Sequence, residues 1–369
     1  DALVEFGDID AGRQQIEAGI AELRTLPDAD PAALARGLGR LAIFYNALGR
    51  ADESERLVRE GIAIFERLPG DHALERIQLR TSLAKQASLR KDLELAETLH
   101  REILEERRML IGPDDSGLAV DWNNLAAVAL RRDRYREADT AYTEALRLLL
   151  SDPTSPESRQ AWVRAGLGAA KSGLGDYAAA ENEFRAALEI AERTLHPEHS
   201  IVASICHVWS AMLRQQRRYD EALELSLRAD SIFESQHHTD EGSAELQLGL
   251  ILLERGNLDR ADTALADAER HLVERRSRED THYWHTLAAR ALIDRRRGDR
   301  EAGMRLDAAL QGFEDSGLQH TTAYGESLLL RAEVALQDRD ARRREWQARA
   351  REVLRDVLGE SHPRVLALR

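Results

Sequence analysis

The sequence contains little cysteine, few aromatic residues and no long hydrophobic run. Its 369 residues include one cysteine, Cys206, and aromatic residues make up 5%. A single cysteine excludes an internal disulfide framework and a cysteine-rich zinc site. The apolar run that begins at Leu248 is far shorter than the roughly 18 residues that a membrane-spanning helix requires. The composition therefore predicts no membrane-spanning segment within this sequence.

Lysine is also scarce, and acidic residues outnumber basic ones. The formal net charge is −14, and the only lysines are Lys85, Lys91 and Lys171. Because nucleic acid binding requires a positive surface, the negative net charge argues against nucleic acid as the main partner. Compact single-core domains stop growing near about 300 residues, so this chain is predicted to form several domains or an open structure. It begins at Asp1 rather than Met, and we expect it to be a fragment of a longer protein.

A short motif recurs along nearly the whole chain. It consists of a turn, a residue that is often Tyr, two further residues and a small anchor residue. The anchors are Gly12, Ser54, Ala96, Ala138, Ala180, Ala222, Ala261 and Gly303. They are spaced by 42 residues as far as Ala222, by 39 to Ala261 and by 42 to Gly303, and a degenerate copy ends near Arg343. A fixed period of this length is typical of a repeat architecture.

Each repeat contains two amphipathic segments. In the repeat around Ala180 they are predicted to span 158–172 and 177–194. Small residues recur where the two helices must cross closely, and we expect them to be buried: Gly61, Ala126, Ala145, Gly168, Ala187, Ser210, Ala229, Gly249 and Ala268. All eight prolines lie between the repeats, so stretches such as "LHPEHSIVAS" end one helix and begin the next.

The repeat around Ala138 resembles the tetratricopeptide pattern at the spacings of that family. The matching residues are Trp122, Leu125, Ala126, Tyr135, Ala138, Tyr142 and Ala145. The 42-residue spacing is similar to that of kinesin light chains and of C-terminal regions of bacterial serine/threonine kinases and regulators. The resemblance implies an all-α, helix-pair solenoid, a right-handed superhelix of about nine repeats over residues 1–369. The expected repeats are 1–27, 28–69, 70–113, 114–156, 157–198, 199–239, 240–280, 281–319 and 320–360, with 361–369 starting a further helix or cap.

The resemblance also implies a function. Tetratricopeptide arrays commonly bind peptides or protein segments on a concave surface lined by the first helices, so we expect a non-enzymatic interaction scaffold or sensor. Positions about 15, 11 and 8 residues before each anchor predict the groove residues Asn46, Lys85, Asn123, His207, Arg214, Gln247 and Arg295. Two alternatives stay open, namely a ligand-sensing domain that changes the shape of the superhelix and a structural module that self-associates.

Other candidate sites are weak. His282 and His285 share one helical face, but two ligands without a third do not make a convincing metal site. Cys206 stands at a core position and is expected to be a buried apolar residue. No phosphate-binding loop, serine elbow or catalytic carboxylate pair is present. We therefore predict no catalytic residue, metal or cofactor, a protein or peptide partner, a fused upstream effector domain and a cytoplasmic location.

Overall fold

The computed structural model describes residues 9–368 except 27, 48–49, 91, 237, 239 and 276–279. Within this part of the chain every regular element is helical, with 18 α-helices, one short 3-10 turn and no strand. The helices are α1 (Ile9–Thr25), α2 (Pro31–Ala47), α3 (Ala51–Arg67), α4 (Ala73–Leu89), α5 (Leu93–Ile111), α6 (Ala119–Arg131), α7 (Tyr135–Ser151), α8 (Ser158–Gly173), α9 (Tyr177–Thr194), α10 (Ser200–Gln215), α11 (Tyr219–Ser235), α12 (Glu241–Glu254), α13 (Leu258–Arg275), α14 (Thr281–Arg296), α15 (Ala302–Asp315), α16 (Thr322–Gln337), α17 (Arg343–Leu358) and α18 (Pro363–Leu366). The prediction of an all-helical protein is confirmed.

The helices form pairs in which even-numbered helices come first and odd-numbered helices second. The predicted segments of the repeat around Ala180 agree with α8 and α9 to within one residue. Polar side chains set the helix starts, since Asp176 accepts a hydrogen bond from the Ala179 amide and His199 accepts one from the Ile201 amide. Pro31 and Pro363 are the first residues of their helices, where a missing amide hydrogen costs least.

Small residues bring paired helices close together, as the sequence predicted. Ala187 and Ala229 are fully buried. A Cβ atom on Gly249 of α12 would lie 2.5 Å from Cγ of Leu265 on α13, and one on Gly168 would lie 2.8 Å from the Phe184 ring. Larger side chains at these positions would therefore force the paired helices apart.

The chain divides into two compact units, residues 1–128 and 129–369. The first has a core that includes Leu38, Val58, Phe65 and Ile77. The second contains α7, the pairs from α8–α9 to α16–α17 and the short α18. A single solenoid over the whole chain stays a prediction. Among the described helices none is long and apolar enough to span a membrane.

Candidate functional site

Glu326 of α16 gathers charged groups from other helices of the second unit. Nη2 of Arg214 on α10 lies 3.0 Å from Oε2 of Glu326, and Nη1 of the same arginine lies 2.6 Å from Oε1 of Glu254 on α12. Nε2 of His285 on α14 is 3.7 Å from Oε2 of Glu326. Arg364 of α18 donates a hydrogen bond to Oε1. Because α10, α12, α14 and α16 are all first helices, we call the side that bears these residues the inner face of the second unit.

Burial and the neighbouring positive charges shift the pKa of Glu326 in opposite directions. Burial alone would raise the pKa of Glu326, but Arg214, Arg364 and His285 outweigh it and hold the pKa well below its usual value. Burial, with smaller contributions from Arg214, His282 and Arg364, lowers the pKa of His285 to about 4 against the opposing effect of Glu326. Glu326 is therefore ionised and His285 neutral near pH 7.

Two of the predicted groove residues take part in ion pairs within the protein. Arg214 binds Glu254 and Glu326 as described, and Nε of Arg295 on α14 lies 2.6 Å from Oδ1 of Asp338. Both guanidinium groups therefore already have a carboxylate partner within the protein.

The other predicted groove residues lie in different surroundings. In the second unit His207 is half-buried on α10 and Gln247 is 6% exposed on α12. In the first unit Lys85 is exposed on α4. Asn123 is half-buried on α6, and its buried Oδ1 has no hydrogen-bond partner within the described ranges. The side chain of Asn46 lies outside the described part of the chain. All seven positions stay predictions. Three of them belong to the first compact unit, namely Asn46, Lys85 and Asn123, and the other four belong to the second.

Gln247 has a polar neighbour on the same helix face. Ser243 lies one turn earlier on α12, is also 6% exposed, and neither its Oγ nor Nε2 of Gln247 has a hydrogen-bond partner among the described residues. Ser243 precedes its anchor Ala261 by 18 residues, as His285 precedes Gly303. Since His285 faces Glu326, the same register places Ser243 and Gln247 on the inner face. Buried polar groups without partners are uncommon and cost free energy, so this surface has unused hydrogen-bonding capacity.

Comparisons with known proteins agree with this architecture. One tetratricopeptide repeat family model matches residues 78–151, and another matches residues 34–72 and 161–200. The chain carries tetratricopeptide repeats. No curated protein matches the sequence.

Among solved structures the similarity extends over nearly the whole length. A Rap protein complexed with Competence and Sporulation Factor has a TM-score of 0.71 at 15% identity and covers 100% of this chain and 97% of its own. The Rap conjugation gene regulator of plasmid pLS20, in complex with the Phr* peptide, has a TM-score of 0.66 at 11% identity, with 95% of both chains covered. Aspartyl phosphate phosphatase F from Bacillus subtilis has a TM-score of 0.59 at 11% identity, with 91% and 97% covered. At these identities the likeness shows a shared fold.

The first and last repeats of the second unit meet. The hydroxyl of Tyr135 at the start of α7 lies 3.3 Å from Oγ1 of Thr322 at the start of α16, and the Thr322 amide donates to Asp133 at 3.2 Å. Farther along, the rings of Tyr177 and His362 pack edge to face with centroids 6.3 Å apart. These contacts close the tetratricopeptide array of this unit on itself.

One cluster of metal-ligating side chains lies in the described part of the chain, and the sequence reasoning missed it. Glu241 and Glu245 are one turn apart on α12 and face His271 of α13. Burial, together with the nearby carboxylates of Asp230, Asp267 and Glu241, raises the pKa of Glu245 to about 8. Aligning the tetratricopeptide repeats by their anchors would have revealed these charges at core positions.

The two histidines that share a helical face, and the single cysteine, lie in different surroundings. His282 is half-buried and its Nδ1 lies 2.9 Å from Oδ1 of Asp280, whereas His285 is buried and faces Glu326. The two rings therefore contact different groups. Cys206 is fully buried in an apolar cluster, and burial raises the pKa of its thiol to about 11.

Proposed function

We propose that the second unit binds an extended peptide or protein segment along its inner face and acts as a non-enzymatic sensor or scaffold. The observation that carries this proposal is the pair Ser243 and Gln247, which are buried on one face of α12 and whose Oγ and Nε2 atoms have no hydrogen-bond partner among the residues that the structure describes. An extended peptide backbone offers an alternating series of amide donors and carbonyl acceptors, which are the groups that a serine hydroxyl and a glutamine amide can bind.

Neighbouring positions of the inner face fit the same ligand. His207 on α10 adds an imidazole beside α12, and the ion pairs of Arg214 fix the relative positions of α10, α12 and α16. A preformed surface of this kind reduces the ordering cost of peptide binding. The solved Rap relatives in complex with Competence and Sporulation Factor and with the Phr* peptide support a ligand of this class.

The ionisable residues of the inner face support a binding role rather than catalysis. Glu326 and Arg214 are bonded to each other and to further charged groups, so neither is poised as a free acid, base or nucleophile. The similarity to an aspartyl phosphate phosphatase is at the level of the fold. In this proposal the chain is a cytoplasmic region of a bacterial signalling protein that receives a peptide signal, relays it to a fused effector and does not bind nucleic acid.

The experiment is selection of a random decapeptide phage library on the purified chain, followed by affinity measurements with the selected peptides as synthetic probes. Gln247→Leu keeps the approximate size of the side chain and removes the amide. We expect affinity to fall by about tenfold, the effect of one lost hydrogen bond of about 1.4 kcal/mol. The melting temperature should stay equal or rise, because an unsatisfied buried amide is removed.

The matched control is Gln311→Leu, since Gln311 is an exposed glutamine on the second helix α15. This variant should bind the selected peptides as tightly as the wild type. A library that yields no binder, or peptides that bind Gln247→Leu and the wild type equally, would contradict the proposal.

A further inference from the structure

The repeats share one backbone geometry, so the same three positions can be compared from repeat to repeat. These positions lie 20 and 16 residues before each anchor, on the first helix, and 10 residues after it, on the second. In the repeat anchored at Ala222 they are Val202, Cys206 and Ile232, which pack together in one apolar cluster. The three positions therefore belong to the core of a helix pair.

In two repeats all three of these positions carry ionisable groups, and the two repeats do so in different ways. In the first unit the residues are Arg76, Arg80 and Glu106, and Nη2 of Arg76 lies 2.7 Å from Oε1 of Glu106 while Arg80 donates to the same carboxylate. The arginines and the glutamate at these three positions therefore supply both the positive and the negative charge of the cluster. Such internal pairing is what makes buried charge tolerable.

The repeat anchored at Ala261 has Glu241, Glu245 and His271 instead. Glu241 and Glu245 are 4% and 8% exposed. Nδ1 of His271 lies 2.8 Å from Oε2 of Glu245, and Nε2 lies 3.7 Å from Oε1 of Glu241. These three positions supply two carboxylates and an imidazole, with neither arginine nor lysine among them.

The donor atoms have the spacing and chemistry of a metal-binding site. One ligand atom from each of Glu241, Glu245 and His271 lies within 4.8 Å of the other two. Zinc bonds to histidine nitrogen and carboxylate oxygen are about 2.1 Å long, which sets neighbouring donors roughly 3–4 Å apart. Small movements of side chains would bring all three onto one ion.

From this juxtaposition of two glutamates and a histidine at core positions, we propose that Glu241, Glu245 and His271 bind a divalent transition-metal ion of the Zn²⁺ class. The ion supplies the positive charge that the arginines supply in the repeat of Arg76 and Arg80. Imidazole and carboxylate ligands suit Zn²⁺, whereas Mg²⁺ and Ca²⁺ prefer oxygen alone. The bound ion would join α12 to α13.

Arg270 competes for the same nitrogen. Nη1 of Arg270 lies 2.8 Å from Nε2 of His271, and Nη2 of Arg270 lies 2.8 Å from Oδ1 of Asp267. If Arg270 donates to Nε2, then Nδ1 donates to Glu245. Arg270 is largely exposed and can move aside without leaving a buried cavity. A metal ion then needs only to replace Arg270 as the partner of Nε2 of His271.

The site is tested on the full chain, purified without a histidine tag and freed of metal with a chelator. Zn²⁺ binding is measured by titration calorimetry, and Co²⁺ by its visible absorption, which reports ligands around the ion. We expect one ion per chain for the wild type, and a Co²⁺ band that disappears in His271→Gln. Glu241→Gln with Glu245→Gln should weaken Zn²⁺ binding by at least about tenfold.

Two further variants keep the test decisive. The triple variant Glu241→Leu, Glu245→Leu, His271→Ile copies the apolar residues found at the equivalent positions 34, 38 and 64. It should fold, lose Zn²⁺ binding and melt at the same temperature with or without chelator. His282→Gln, which changes a half-buried histidine, should bind as the wild type does.

A wild type that binds no Zn²⁺ or Co²⁺ stoichiometrically, or a triple variant that binds as well as the wild type, would overturn the assignment. Both results are independent of peptide binding, because Gln247 is retained in every one of these variants. Failure of the metal site therefore leaves the proposed function untouched, and the reverse also holds.

Discussion

Replacing His285 should remove a large part of the acid sensitivity of the second unit. His285 is 6% exposed and its pKa is lowered from 6.5 to about 4, first by burial and then by Arg214, His282 and Arg364. In the unfolded chain the same imidazole binds a proton near pH 6.5. A group whose folded pKa is depressed in this way contributes its full stability above pH 6.5 and loses it as the pH falls to about 4.

The size of the expected stability change follows from the pKa shift of His285. A difference of 6.5 to about 4 corresponds to roughly 3 kcal/mol of unfolding free energy between the two ends of the window. Glu326, with a pKa below its usual value, adds to the acid loss, but mainly below about pH 4.5 where unfolded glutamate gains its proton. The interval from pH 6.5 to 4.5 therefore isolates most of the histidine effect.

Two carboxyl groups also titrate in this pH interval, and their effect on the stability of the fold has the opposite sign. Glu245 and Asp230 have raised pKa values of about 8 and about 6, so protonation stabilises the fold as the pH falls. Their contribution is the same in the wild type and in a His285 variant. The difference between the two proteins at each pH therefore reports His285 alone.

The assay compares the wild type with His285→Gln by urea unfolding at several pH values between 4 and 7, in the presence of a metal chelator. The wild type should gain about 3 kcal/mol relative to the variant as the pH rises from 4 to 6.5. Nuclear magnetic resonance of labelled histidine gives the folded pKa directly. His282→Gln, on the same helix, serves as the control for the loss of a histidine side chain. A constant difference between wild type and His285→Gln across this range would refute the reasoning.

Two shorter predictions concern the core and the groove. Ala187→Leu should destabilise the chain by about 1–3 kcal/mol in urea unfolding, because the methyl group of Ala187 is fully buried and leaves no space for added carbons. The control Ala178→Leu, at an exposed position of the same helix α9, should change stability by less than about 0.5 kcal/mol. Equal losses in the two variants would contradict the close packing at Ala187. Changing His207 to Ala should leave the melting temperature nearly unchanged and weaken binding of the selected peptides. A collapse of stability in this variant would mean that His207 belongs to the core.

The helix pairs could be predicted from the sequence because their determinants are local. The spacing of apolar residues, the turn before Tyr177 and the prolines between repeats fix where each helix begins and ends, and these signals recur at a constant period. The small residues at Ala187 and Gly249 likewise predict close crossings, since they act between helices adjacent in the chain. Each repeat contacts mainly its neighbours, so nearest-neighbour reasoning is sufficient for this level of structure.

The charged network around Glu326 could not be predicted in the same way. Arg214 and Glu326 are 112 residues apart, and their contact depends on how far the array has turned between α10 and α16. That curvature is the sum of small rotations at each helix pair, and a small error per repeat moves the last helix away from the first. The sequence therefore predicted Arg214 as a groove residue and gave no signal that its charge is already paired.

The cluster at Glu241, Glu245 and His271 represents a third situation, in which the information was present but required comparison within the chain. A charged residue in one amphipathic helix is unremarkable, because solvent-exposed positions are usually charged. A charged residue at a position whose equivalents in other repeats are buried and apolar is different, since the backbone assigns it to the same interior. Arg76, Arg80 and Glu106 show that this interior accepts charge when it is balanced locally. In a repeat protein, departures from the internal pattern at core positions are therefore the places to look for a bound cation.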